Sequence, residues 1–229
     1  MITFKQYLSE QDIQDISAEI LLNTFISEEE MNEVEKLIKR DCAPFLREAK
    51  GAGFLYRGVK GLDKVDAHFV NDFEGKELLY SIKHVRKDRK PLSSSDFMHK
   101  VIDDWFNEKF NFKARSTAMF VVGEGARPNV ISGYGTPCVV FPIGEIQYAW
   151  SPAVRDLYIS LPEFSDEEDV DERIKKIRAK LDQYDYQTNA LNEVIPTNPP
   201  IEIMMQCDKY YAFPIKYKEQ LQISLDIMP

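Results

Sequence analysis

The apolar residues of this chain come in short runs of strand length, and three of those runs each carry one polar residue that a packed core does not need. They are Gly53-Phe54-Leu55-Tyr56-Arg57-Gly58, Ala114-Arg115-Ser116-Thr117-Ala118-Met119-Phe120 and Pro200-Ile201-Glu202-Ile203-Met204-Met205. Runs this short are far below the length of a membrane span, so the chain reads as soluble, with no membrane partner. At 229 residues it fits one large domain, or one domain with a small helical appendage. An apolar content of 44%, with 14 Phe and 11 Tyr, is enough for a real core and argues against general disorder. A net charge of −9 argues against a protein whose main task is to coat nucleic acid, while leaving room for a local basic patch. Cys42, Cys138 and Cys207 show no CxxC pairing, which points to a reducing compartment and against a disulfide framework or zinc finger. No secretory leader is expected after Met1.

Helical signals dominate the first 50 residues. Residues 1 to 10 place Phe4, Tyr7 and Leu8 at helical spacing, and residues 11 to 26 read as a second short helix. Ser27 followed by Glu28, Glu29 and Glu30 is a hydroxyl cap with acids at the positive end of the dipole. That helix is expected to run to about Lys50, burying Met31, Val34, Leu37 and Ile38, with Pro44 kinking or ending it. Strands are expected at 54–57, 79–85, 115–122, 137–142, 145–150 and 201–206. One of Ser93, Ser94 or Ser95 caps a helix over 96–110, and a charged surface helix covers 166–181. Asp208-Lys209 reads as a hairpin turn with a returning strand from Tyr210 to Ile215. The fold class is α+β: a helical section over 1–50, then a mostly antiparallel sheet domain over 51–229.

Three polar intrusions are the candidate chemistry. Arg57 ends an apolar run, and its planar, always-charged fork suits a phosphate or ribose, while Gly58 lets a ligand approach the backbone. Ser116 and Thr117 are neighbours, so on a strand only one of them faces a given side. Glu202 lies inside Ile-Glu-Ile-Met-Met, where an unpartnered carboxylate costs several kcal/mol or takes up a proton, so it faces solvent, a salt partner or a site. The tract Lys83 to Lys90 is basic and reads first as a solvated loop, and otherwise as a steering patch for an anion. His68, His84 and His99 have no metal-ligand spacing, and no metal is expected.

In order and placement these segments resemble the Arg, Ser/Thr and Glu motifs of ADP-ribosyltransferases, enzymes that split NAD at the nicotinamide bond. The resemblance implies a split-sheet fold with NAD as substrate. It implies Arg57 on the phosphates after the aromatic Tyr56, and Ser116, with Thr117 as the alternative, on the nicotinamide ribose. Glu202 is implied to stabilise the cation that grows on the sugar. A ring wall for nicotinamide is sought among Phe120, Tyr134 and Tyr148. Many arginine-modifying members carry Glu or Gln two residues before the catalytic glutamate, where this chain has Pro200, so the acceptor stays open; Glu193 and Glu145 are fallback carboxylates. Residues 1 to 10 are similar to capsid-targeting peptides of internal head proteins of large tailed bacteriophages, which are cut after Leu/Ile-x-Glu; Leu8-Ser9-Glu10 matches, as does Ile26-Ser27-Glu28. That implies a protein carried in the virion interior and released into the host cytoplasm, with an unspecified host protein or nucleic acid as target. Two other readings stand beside it. One is a non-enzymatic virion or host-binding module. The other is a magnesium-dependent nuclease using Asp166, Glu167, Glu168 and Asp169.

Overall fold

The computed structural model describes residues 26–72, 75–90, 95–125, 131–161 and 169–227. Residues 1–10, most of 11–26 and the acids at 166–168 lie outside them, as do Ser93 and Ser94.

Helix α1 (Glu28–Asp41) begins at the expected cap. Ser27 Oγ accepts from the Glu30 amide at 3.2 Å while the Ser27 amide donates to the Glu30 carboxylate, a closed capping box. Its buried face is Met31, Val34 and Ile38. The helix does not run on to Lys50. It breaks at Cys42, and α2 (Ala43–Ala49) restarts with Pro44 in its first turn, where a missing N–H costs nothing.

The strands are β1 (Leu55–Val59), β2 (Ala67–Asp72), β3 (Gly75–His84), β4 (Met119–Val122), β5 (Thr136–Ile143), β6 (Gln147–Ala149), β7 (Glu202–Gln206) and β8 (Lys209–Pro214). They form one antiparallel ladder in the order β2-β3-β8-β5-β1-β4-β7-β6. Its narrowest point is between β1 and β4, joined by the single pair Tyr56↔Val122. That point divides the ladder into five-stranded and three-stranded parts.

The expected hairpin at Asp208-Lys209 is not there: β7 and β8 do not pair with each other. Four strand spacings separate them in the ladder, about 19 Å if the sheet were flat. Cys207 and Asp208 alone cannot bridge that, since they reach about 10 Å. The ladder therefore curls, and β7 runs on into β8 around a bend. Its partner does the same, because Ile143↔Lys209 and Gln147↔Gln206 continue one antiparallel ribbon across the Gly144 bend. The backbone of Gly144 turns there at φ +75°, and its amide donates to the Asp41 carbonyl at 2.8 Å, tying α1 to the bend.

Two apolar cores flank the β6–β7 half of this ribbon, while consecutive residues of β5 and β8 all belong to the first. The first takes Ile38 and Phe45 from α1 and α2, Phe54 and Phe141 from the sheet, and Leu221 from α8 (Lys218–Leu225). The second packs Ile102, Trp105 and Phe106 of α3 (Asp96–Phe110) with Ile177 and Leu181 of α6 (Val170–Gln183). Ser95 caps α3 and Asp169 caps α6. Between α3 and α6 in the chain come the turns α4 (Ala114–Thr117) and α5 (Leu157–Ser160), and α7 (Leu191–Val194) precedes β7. Strand β7 is wetted on neither side: Ile203 and Met205 enter the first core and Met204 the second. Alternation then puts Glu202 on the side of the second core.

Candidate functional site: an arginine cluster beside a buried carboxyl

Arg57 and Tyr56 are neighbours on β1 and so project to opposite sides. Tyr56 goes into the first core, where its hydroxyl donates to Glu124 Oε1 at 2.9 Å. Arg57 goes the other way, and its Nη1 donates to the Phe120 carbonyl at 2.8 Å. At Gly58, expected to admit a ligand, the chain itself comes close: a Cβ there would meet the Ile131 carbonyl at 2.5 Å and Tyr134 Cβ at 2.8 Å. The Tyr134 ring is 70% exposed, next to that contact.

The register of β4 explains why an arginine is wanted at this place. The Glu202 amide donates to the Arg155 carbonyl at 3.1 Å rather than to β4, so the Val122↔Glu202 and Phe120↔Met204 pairs are of the type that exchanges no backbone bonds. Ala118 and Phe120 therefore turn their carbonyls toward β1, which meets β4 only at Val122. Arg57 satisfies Phe120, and Arg89 Nη1 satisfies Ala118 at 2.9 Å. Arg89 was expected in a solvated basic loop; its amide also donates to the Ser116 carbonyl, so the end of that tract is drawn in against β4.

Arg115 completes the cluster. Its guanidinium carbon lies 5.1 Å from the centroid of the Phe120 ring, and that of Arg89 lies 4.7 Å away. Phe120, expected as a wall for a nicotinamide ring, carries two cations. Burial, then the charges of Arg57, Arg115 and Arg86, pull Arg89 down to about 10. Among the described residues none of Arg57, Arg89 and Arg115 forms an ion pair, and the buried Arg115 Nε has no hydrogen-bond partner.

Glu202 sits beside these cations. Its carboxylate accepts from the Leu157 amide at 3.3 Å. Burial, then the neighbouring Asp156 carboxyl, push it up to about 7, against the Leu157 bond and the pull of Arg115 and Arg89. Arg89 feels both Arg57 and Glu202, so the guanidinium and the acid share one neighbourhood.

The expected strand over 115–122 starts only at Met119, and Ser116 and Thr117 stand on the helical turn α4. Asp103 of α3 holds that turn. Its Oδ1 accepts from the Arg115 amide at 2.7 Å and the Ser116 amide at 3.2 Å, and its Oδ2 accepts from the Ser116 hydroxyl. His99 Nε2 lies 3.0 Å from Ser116 Oγ. The serine's only proton goes to Asp103, so His99 Nε2 is the donor and Nδ1 is a bare acceptor, buried and without a partner. Burial, reinforced by Arg115 and Arg89 and opposed by Asp103, lowers the pKa of His99. Thr117 Oγ1 donates to the Lys113 carbonyl at 2.9 Å. The structure thus sets Arg57 on the Phe120 carbonyl and Glu202 within the electrostatic reach of Arg115 and Arg89, and puts the hydroxyls of Ser116 and Thr117 on helical partners.

The signals that sequence reading missed were present. His99 and Asp103 stand four apart on the buried face of α3, among Val101, Ile102 and Trp105, and a buried acid there needs donors. Asp169, one of the four acids of the nuclease reading, caps α6 by accepting from the Asp171 and Glu172 amides. Among the described residues no group of acids, histidines or cysteines is placed to hold a metal ion, and no helix is long and apolar enough to cross a membrane. A cavity of about 590 Å³ lies elsewhere, between α2, the end of α3 and β6. Of its charged lining, Glu48 accepts from Tyr148, Glu108 pairs with Arg178 and Lys109 with Asp182, while Arg47 and the fallback carboxylate Glu145 also line it. The guanidiniums at β4, which form no ion pair among the described residues, are the better candidate. No protein-family model, curated protein or solved structure matches the chain.

Proposed function

We propose that the cluster on β4 binds NAD and that the protein is an ADP-ribosyltransferase. The observation that carries the reading is the carboxyl of Glu202, with a raised proton affinity, in the same neighbourhood as the guanidiniums of Arg57, Arg89 and Arg115. Arg57 would hold the phosphates. Glu202, once ionised, would face the sugar carbon as the bond to nicotinamide breaks and its electron pair leaves with the ring nitrogen. A target nucleophile, or water, would then bond to that carbon and give up its proton. The role of Glu202 is charge stabilisation, worth roughly 100-fold or more in rate. Ser116 would act at one remove, through the Asp103 network that fixes the backbone carrying Arg115. The finer fold resemblance belongs to this proposal as well: five and three strands meeting at a single pair, with the candidate groups at the junction.

Incubation with NAD, followed by nicotinamide release and by label transfer to a bacterial lysate, tests the reading. Wild-type protein should release nicotinamide, and Glu202→Gln should lose at least about 100-fold of that rate. Absence of both release and transfer for the wild type ends the proposal and leaves a binding module. The accompanying proposal of carriage in a virion rests on Leu8-Ser9-Glu10 and is read from the N-terminus of the mature protein by mass spectrometry.

A further inference from the structure

We infer that Arg89 and Arg115, which stand outside the three motif segments' expected roles, form with Arg57 a binding site for the diphosphate group of a small nucleotide. It rests on the same site as the NAD reading but not on any cleavage chemistry. Each guanidinium offers five donors in a fixed plane. Arg57 and Arg89 spend one each on the carbonyls of Phe120 and Ala118, and those bonds lock the two forks along one edge of β4. Arg115 spends none on a carbonyl and is held instead by the Phe120 ring and by its backbone bond to Asp103. Arg57 also meets the Tyr210 hydroxyl, and the three guanidiniums gather around Phe120 without an ion pair among the described residues.

Glu202, Asp156 and Asp103 lie in the same neighbourhood. Burial, then the like charges of Arg57, Arg115 and Arg86, pull Arg89 down, and burial, then Asp156, pushes Glu202 up. A protein of net charge −9 has acids to spare, yet among the described residues none pairs with these three. Such a cluster is stabilised by an anion that supplies several acceptor oxygens at once. A diphosphate does so with two adjacent charged groups, and planar forks bind it in pairs of parallel bonds. The site is half-buried and short, a few residues of one strand edge, which suits a discrete ligand. A nucleic-acid strand would need cations repeated along a groove.

The test is titration calorimetry of the full chain with inorganic pyrophosphate, ADP-ribose and a short single-stranded oligonucleotide. Wild-type protein should bind pyrophosphate and ADP-ribose, more weakly as salt rises. Arg115→Gln and Arg89→Lys should each weaken both at least about tenfold while melting at the wild-type temperature. Arg115→Gln leaves every carbonyl partner in place, so it separates binding from folding. Glu202→Gln should keep pyrophosphate binding even where NAD cleavage is lost. Wild-type affinity in both arginine variants, no binding of pyrophosphate by a protein that melts normally, or tighter binding of the oligonucleotide than of ADP-ribose would each overturn the inference. Pyrophosphate binding without nicotinamide release would sink the transferase reading alone.

Discussion

Two half-buried polar clusters begin at adjacent residues of β1 and differ in one respect. From Tyr56 the chain reaches Glu124, whose Oε1 accepts from the Tyr56 hydroxyl and the Phe54 amide and whose Oε2 pairs with Lys218 at 2.8 Å. Every partner there is matched, acid against base. From Arg57, three guanidiniums gather around Phe120 near Glu202, Asp156 and Asp103, and among the described residues none of the three forms an ion pair with an acid. Polar groups that are fully answered from within fix a structure; groups left over are available to something from outside. The contrast separates a structural network from a site without any appeal to likeness.

The contrast breaks if the matched cluster proves dispensable. Glu124→Ala strands the Lys218 charge and two donors, and should cost about 3 kcal/mol in urea denaturation while leaving pyrophosphate binding intact. Next in size is the pH response of the unmatched side. The folded protein holds the Glu202 proton to about pH 7, against an ordinary 4.5, so its contribution to stability is present below pH 4.5 and is lost as pH rises through 7. Allowing for partial exposure, the difference is roughly 2 kcal/mol. Urea midpoints compared at pH 5 and pH 7.5 should show Glu202→Gln gaining on the wild type at the higher pH. An equal response in both proteins would mean that the acid is not held as the structure has it. The smallest effect sharpens the comparison, because Ser116 belongs with the matched kind. Ser116→Ala should cost about 1 kcal/mol of stability and leave nicotinamide release near the wild-type rate. A collapse of activity with unchanged stability would place its hydroxyl on substrate after all.

What could be read in advance was local. The caps at Ser27 and Ser95 announce their helices because hydroxyl and acid sit within one turn of the amides they serve. Glu202 announces itself because nothing in an apolar strand calls for a carboxylate. What stayed hidden was decided by distant partners. The 114–117 segment looks like a strand until Asp103 bonds its amides into a turn. Asp208-Lys209 looks like a hairpin until the β5–β6 ribbon pairs with both β8 and β7 and carries the strand on around a bend. Arg89 is one charge in a run of charges, and only the open edge of β4 singles it out.

That edge has one more consequence. A strand with free carbonyls in a row invites another strand to add to it, and folded proteins commonly ward this off with charge. Here the sentries are Arg57 and Arg89, the same side chains that face the anion. A chain stripped of both would expose two acceptors spaced for an incoming backbone, and should self-associate through β4: the groups poised for a ligand also keep copies of the protein apart.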